Sequence, residues 1–239
     1  LNGALRVADL ACGGGGTTRA LCRHLPPGSS VDGFDLSPTL LAAARAASVD
    51  LPTDHISPSF HRLDLATASP PVGPYDRLTS RFGLMFFDDP PAAFRNLRRW
   101  LAPGGRFAVA VWSLPAENPW ANCLREAASR FIDFPERELS DPGPFRYAKV
   151  EGFRDLLEAA GFTEVSVSTW RSTIPYGGGL PAPEASRFAL RAFSLGQALV
   201  DAGPHAAEEV ERNLTATLRE HERGGRVELG ASVHIVTGR

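Results

Sequence analysis

Residues Val7–Thr18 read VADLACGGGGTT, an apolar run that breaks into consecutive glycines and then into a helical pattern. A strand ending this way presents bare backbone N–H groups at the positive start of a helix, which suits a phosphate or a carboxylate. Gly13 and Gly15 matter because a Cβ would keep a ligand away from the backbone. Asp9 lies inside the strand, just ahead of those glycines. A carboxylate there repels a pyrophosphate but suits a ligand carrying an ammonium group. The dinucleotide fingerprint G-x-G-x-x-G fails, because Thr18 stands where its third glycine belongs. NAD is therefore not expected to bind.

The elements that must position this turn follow from the pattern of apolar residues. Short apolar runs alternate with helical stretches through the first half, as in stacked βαβ units with a parallel sheet. Arg6–Ala11 reads as a buried strand and Thr17–Leu25 as a helix stopped by Pro26-Pro27-Gly28. Ser30–Asp35 is the second predicted strand. Ser37, with Pro38 behind it, is an N-cap for a helix striped by Leu40, Leu41 and Ala44. Phe60–Leu63 and Asp76–Phe82 are the third and fourth strands. Phe94, Leu97 and Leu101 predict a helix ended by Pro103-Gly104-Gly105. Phe107–Trp112 then reads as a central strand, apolar throughout.

Beyond Trp112 the pattern changes. Residues 113–148 are rich in proline and aromatics, with one helix expected near Trp120–Phe131. Phe153, Leu156, Leu157 and Ala160 mark a helix stopped by Gly161, and Glu164–Arg171 alternates as a strand. Two helices are expected in 182–222, striped by Phe188, Leu195 and Leu199 and by Val210, Leu214 and Leu218. The final strand alternates Val227, Leu229, Ala231, Val233 and Ile235 on one face, which puts His234 on the polar, exposed side. The reading is one domain over 1–239 with a helical insertion, 182–222, before its last strand.

Composition narrows the function classes. The 239 residues carry a formal net charge of −2, too little basic charge for an electrostatic nucleic-acid binder. No apolar run is long enough to span a membrane. Cys12, Cys22 and Cys123 are too few for a disulfide framework and lack metal-site spacing, so a reducing cytoplasm is expected. The histidines (24, 55, 61, 205, 221 and 234) are scattered, and no metal is expected. Cys12, in the glycine turn, reads as structural filler rather than a nucleophile.

The frame Asp9, Ala11, Gly13, Gly15 resembles the first motif of the class I S-adenosylmethionine-dependent methyltransferases, with alanine in place of the usual first glycine. Further matches follow in order. Asp35 ends the second strand and Asp64-Leu65 the third. The fourth runs into Ser80-Arg81-Phe82-Gly83-Leu84-Met85-Phe86-Phe87, then an aspartate pair, a helix and LAPGG. This stretch, continuing through Trp112, Glu117, Asn118, Pro119 and Trp120, is similar to a bacterial subgroup of small-molecule methyltransferases, and the similarity covers nearly the whole chain.

The resemblance implies a Rossmann-like α/β fold: a mainly parallel seven-stranded sheet in the order 3-2-1-4-5-7-6, helices on both faces and an antiparallel last strand. It implies S-adenosylmethionine as cofactor, bound by Asp9, Ala11, Cys12, Gly13, Gly15, Asp35, Leu36, Asp64, Leu65, Ser80, Arg81 and Phe82. Asp35 would accept both ribose hydroxyls, Asp64 would meet the adenine amino group, and Leu65 would pack the ring. Each of these acids, taken alone, is as readily a cap for the next helix; their order on successive strand ends favours the ligand. The 182–222 insertion would form a lid. Relatives carry helices before the first strand, so this stretch, starting at Leu1, would be expected to bind the cofactor more weakly than with such helices in place.

The reaction implied is in-line methyl transfer to a small-molecule oxygen, nitrogen or carbon nucleophile. The alternatives are a cofactor-binding protein that does not methylate, cyclase-like or regulatory, and a protein methyltransferase. The Asn/Asp-Pro-Pro-aromatic signature of base and glutamine methylation is absent after the fourth strand. No catalytic residue is assigned. Glu117, Tyr147, Tyr176 and His205 are candidates to face the acceptor, and the aromatics between Trp112 and Trp120 to line its pocket.

Overall fold

A computed structural model describes residues 3–49, 56–134, 138–192 and 196–239. The chain divides into two compact units, one of Leu1–Trp112, Leu139–Thr169 and His234–Arg239, the other of Ser113–Glu138 and Trp170–Val233.

The first unit holds β1 (Arg6–Leu10), α1 (Gly16–His24), β2 (Ser30–Asp35), α2 (Pro38–Ser48), β3 (Ser59–Arg62), β4 (Tyr75–Arg81), α3 (Pro90–Trp100) and β5 (Leu101–Trp112); α4 (Pro119–Ala128), next in the chain, belongs to the second unit, and α5 (Val150–Ala159) to the first. After these come β6 (Ser166–Pro175), α6 (Ala182–Ala192), α7 (Gly196–Asp201), α8 (Pro204–Glu220), β7 (Glu222–Arg223) and β8 (Arg226–Gly238). The sheet runs β3-β2-β1-β4-β5-β8-β6, the expected order once the two-residue β7 is set aside. Strands β1 to β5 pair in parallel and the C-terminal strands are antiparallel.

Local chemistry accounts for the helix starts. Ser37 accepts a hydrogen bond from Leu40 N with Pro38 behind it, and Asp89 caps α3 from Ala92 N at 3.0 Å with Pro90 at its first position. Helix α3 buries Phe94, Leu97 and Trp100 against the sheet. Phe34 meets Trp100 edge-on at 5.0 Å. Buried Asn96 gives its amide to the carbonyls of Leu65 (3.0 Å) and Ala68 (2.8 Å), so the polar group inside that core is satisfied.

Several expectations change here. The α3 pattern stops at Trp100, and Leu101 already pairs with Tyr75; Arg77 then pairs with Arg106. LAPGG is thus an excursion within the strand, where Leu101 is buried by the core and Gly104 turns at φ 75°. The Phe107–Trp112 part of β5 is apolar throughout yet fully buried on one face only. Phe107, Val109 and Val111 are buried, whereas Ala108 and Arg106 line a cavity of about 570 Å³ with Leu21 and Leu25. His234 is 9% exposed, not on the surface. Its Nδ1 lies 3.0 Å from Thr169 Oγ1 and its Nε2 3.3 Å from the Ala148 carbonyl. The alternation slips because residues 231–234 of β8 are covered on both faces, after which Ile235 is exposed and Val236 buried.

The second unit has its own core of Cys123, Leu124, Tyr176, Val210, Leu214, Leu218 and Leu229. Among the described residues of 182–222 lie α6, α7 and α8, where two helices were expected. The buried face of α6 is Ala182, Ala185, Ser186 and Ala189, and Phe188 is 44% exposed; small residues let α6 lie close to α8. Leu199 and the α8 stripe are buried as expected, and Leu195 lies outside the described residues. Asn118 is fully buried and satisfied: its amide reaches the Ser113, Leu114 and Ser232 carbonyls, and its Oδ1 accepts from Ser232 N and Trp120 Nε1.

Candidate functional site

The glycine turn is held from β2. Strand β1 ends at Leu10, and Ala11 enters the left-handed region at φ 53°. Cys12 N donates to the Phe34 carbonyl at 2.8 Å, and Gly13 N donates to Asp35 Oδ2 at 2.8 Å. Asp35 Oδ1 accepts from Ser37 N at 2.9 Å, so one carboxylate ties the turn to the start of α2. Two of its lone-pair positions remain. The glycines differ in what demands them. A Cβ on Gly15 would stand 3.0 Å from Ala44 Cβ and 3.1 Å from the Phe60 ring, so packing requires it. A Cβ on Gly13 or Gly14 would meet nothing within 4 Å, so a side chain there would project into open space.

Asp9 sits behind this turn, 1% exposed. Its Oδ2 accepts from Thr18 Oγ1 at 2.6 Å, while its Oδ1 is buried with no hydrogen-bond partner. Burial pushes its carboxyl up to about 6, against the opposing pull of the Thr18 bond and the Arg81 charge. Such an orphaned oxygen is what a ligand ammonium would satisfy. Burial, with Asp9 and Asp35 nearby, pushes the Cys12 thiol up to about 12, which makes it inert as a nucleophile.

From β4, Ser80 is buried and donates to the Leu10 carbonyl at 2.8 Å, which ties β4 to the end of β1. Arg81 Nε donates to Thr17 Oγ1 at 3.0 Å. Phe82, at φ 64°, lies flat on Trp112 at 3.9 Å and 2°. Asp64 caps the turn after β3, accepting from Ala66 N (2.9 Å) and Thr67 Oγ1 (3.1 Å). Leu65 is buried in the main core and Leu36 is 63% exposed. Thus Asp9, Ala11, Cys12, Gly13, Gly15, Asp35, Ser80 and Arg81 are joined through one web of contacts around the turn. Sequence reasoning missed Thr17 and Thr18, the partners of Arg81 and Asp9; the signal was a pair of hydroxyls directly after the glycines.

Comparison with known proteins agrees with this geometry. The methyltransferase-domain family matches residues 7–105. The demethylmenaquinone methyltransferase of Thermus thermophilus is 31% identical over 167 residues, covering 66% of this chain and 74% of that protein. The chain belongs to the class I S-adenosylmethionine-dependent methyltransferases. Another relative of this family, the trans-aconitate 2-methyltransferase of Escherichia fergusonii, is 31% identical over 170 residues, which is 70% of this chain and 59% of that one. Among solved structures, a Bacillus halodurans protein named as a methyltransferase shares the fold, with a TM-score of 0.61 at 17% identity over 100% of this chain and 94% of the other.

Of the four residues expected to face an acceptor, Glu117 and Tyr176 are engaged otherwise. Glu117 accepts from Ser113, from Ser232 at 3.2 Å and from Arg171 at 3.0 Å, and these bonds hold its carboxyl below the usual range. It stays ionised and is a weak base. Tyr176 is buried beside Cys123, with Sγ and the phenol oxygen 3.6 Å apart, and burial raises its pKa. His205 is exposed on α8. Tyr147 stacks on Phe153 at 4.1 Å; its hydroxyl is buried and unpartnered, and burial pushes it up to about 12. It remains a donor at neutral pH. Trp120 gives its indole N–H to Asn118 and packs on the second core.

Proposed function

We propose that this chain transfers the methyl group of S-adenosylmethionine to a small-molecule acceptor, in a reducing, cytoplasmic setting. One observation carries the reading: the buried, unpartnered Asp9 Oδ1 behind a glycine turn whose outer edge, at Gly13 and Gly14, is open. Asp9 would take the cofactor's ammonium, Asp35 the ribose hydroxyls, and the Asp64-Leu65 turn the adenine, with the backbone from Ala11 to Gly15 and Leu36 and Ser80–Phe82 around them. Both relatives are named for small-molecule acceptors, demethylmenaquinone and trans-aconitate, which supports an acceptor of that class. The net charge of −2 supports it over nucleic acid.

When bound, the cofactor supplies an activated sulfonium methyl. What remains for the protein is to hold donor and acceptor in line and exclude water, which can lower the barrier substantially without a covalent residue. The ionised Glu117 and the high-pKa tyrosines fit that division of labour, since none of them is poised as a general base near neutral pH.

Calorimetry tests the cofactor reading. S-adenosylmethionine and S-adenosylhomocysteine are expected to bind saturably and NAD not at all; the reverse result overturns it. Incubation with methyl-labelled S-adenosylmethionine and a panel of small metabolites is expected to yield labelled products. Good cofactor binding without any labelled product would favour a non-methylating protein. Asp35→Ala is expected to weaken S-adenosylhomocysteine at least tenfold, since charge-assisted bonds contribute about 1.5–3 kcal/mol each. The same change frees Gly13 N and is expected to cost ~1 kcal/mol of stability. If the variant melts lower but keeps its affinity, Asp35 serves the turn and not the ligand.

A further inference from the structure

Gly13, Gly14, Gly15 and Gly16 stand in a row, and a chain of glycines loses more freedom on ordering than any other. Gly13 and Gly15 are demanded by the backbone, at φ 54° and φ 73°. Gly14 is demanded neither by backbone nor by packing: its φ is not positive, and a Cβ there would meet nothing within 4 Å. Bonds from outside hold its neighbours. Gly13 N donates to Asp35, and Gly15 N donates to the Cys12 carbonyl at 3.0 Å. At Gly14 the carbonyl accepts from Arg19 Nη1 at 2.8 Å, while the N–H has no hydrogen-bond partner among the described residues. Arg19, half-buried in α1, touches the turn twice, since its own N–H donates to the Gly15 carbonyl at 2.9 Å. Among the described residues it forms no ion pair.

We infer that Arg19 is a positioning residue for the cofactor, acting through the Gly14 peptide. The Gly14 carbonyl and the Gly15 N–H belong to one planar peptide, so Arg19 and Cys12 hold that plane from its two sides. Asp35 holds the plane between Cys12 and Gly13 in the same way. The plane between Gly13 and Gly14 lies between these two fixed ones, and its N–H is the donor left free for a ligand. A guanidinium suits the task because its bond to a carbonyl is charge-assisted and stronger than a neutral one. Setting the turn before the ligand arrives lowers the ordering cost of binding. The inference rests on the proposed cofactor and adds to it a residue that need not touch the ligand.

Arg19→Met keeps an apolar stem and removes the donors, and two measurements on the full chain test the inference. By calorimetry the variant is expected to bind S-adenosylhomocysteine about threefold to tenfold more weakly than the unmodified protein. Its melting temperature is expected to fall by at most about 4 °C. The loss of affinity should persist at roughly 1 M salt, where the Debye length is about 3 Å. By amide relaxation of the unliganded proteins, Gly13, Gly14 and Gly15 are expected to be more mobile in the variant, and equally rigid in both proteins once S-adenosylhomocysteine is saturating. A loss that disappears in salt overturns the inference, because Arg19 would then attract a charged ligand from a distance. So does a loss without added mobility, which would make Arg19 a direct contact, and so does added mobility without a loss. If the unmodified protein binds S-adenosylhomocysteine and the variant binds it equally well, only the role of Arg19 falls. If the unmodified protein does not bind it, the cofactor reading falls and this inference with it.

Discussion

Gly83→Ala is expected to destabilise the protein by about 2–3 kcal/mol, and Ala11→Gly in the same chain to return most of that loss. A Cβ on Gly83 would stand 2.2 Å from Ala11 Cβ and 3.2 Å from the Ala11 carbonyl oxygen. Gly83 itself has ordinary right-handed dihedrals (φ −106°, ψ −33°), so alanine meets no backbone penalty there. Most of the cost is the collision with one methyl, and the tight approach to the Ala11 carbonyl adds the rest. That methyl is on a residue held at φ 53°, where an L side chain costs roughly 1–2 kcal/mol and glycine nothing. Removing it relieves the clash and that strain together. Glycine in the first position of the turn and glycine after β4 are therefore alternatives: one of the two must lack a side chain. Urea unfolding of both single variants and the double variant, read as a double-mutant cycle, checks this. Simple additivity of the two changes would show that the methyls do not meet.

Asp9→Asn is expected to stabilise the unliganded protein at neutral pH while weakening S-adenosylhomocysteine at least tenfold. Burial raises the Asp9 carboxyl from 3.8 to about 6, so the folded chain binds its proton more readily than the unfolded chain does. The sign follows by linkage: stability is greatest below about pH 4, falls as pH rises through about 4 to 6, and stays reduced above. Two pKa units correspond to about 3 kcal/mol at most. Asparagine keeps an acceptor for Thr18 but leaves an amide unpaired, so a net gain of about 1 kcal/mol is expected. Melting curves from pH 4 to 8 should lose this slope in the variant. Ligand affinity of the unmodified protein should fall as pH drops below about 6, because a neutral Asp9 no longer attracts an ammonium. An Asn variant less stable than its parent at pH 7 would mean the charge is already compensated.

The sequence alone determined the parts of this protein that depend on neighbours in the chain. Strand β1 with its glycine turn, the Ser37-Pro38 helix start, Asp35 at the end of β2 and Asp64 after β3, and the Val210-Leu214-Leu218 stripe are local patterns. Periodicity and caps act over a few residues and are visible there. The strand order came from resemblance to a family, since nothing local says that β8 lies between β5 and β6. Only the tertiary structure decided what each side chain meets. Glu117, expected near an acceptor, is held by Ser113, Arg171 and Ser232, the last of them 115 positions away. His234 is buried because Thr169 and Ala148 come to it, and the Ala11 methyl faces Gly83 across 72 positions. Asp9 is conspicuous as an acid in an apolar run, but that one oxygen is paired and the other is not depends on how α1 packs over β1. Contacts at long sequence separation carry no periodic signal along the chain, and they are what bring Arg81 of β4 to Thr17 beside the glycine turn.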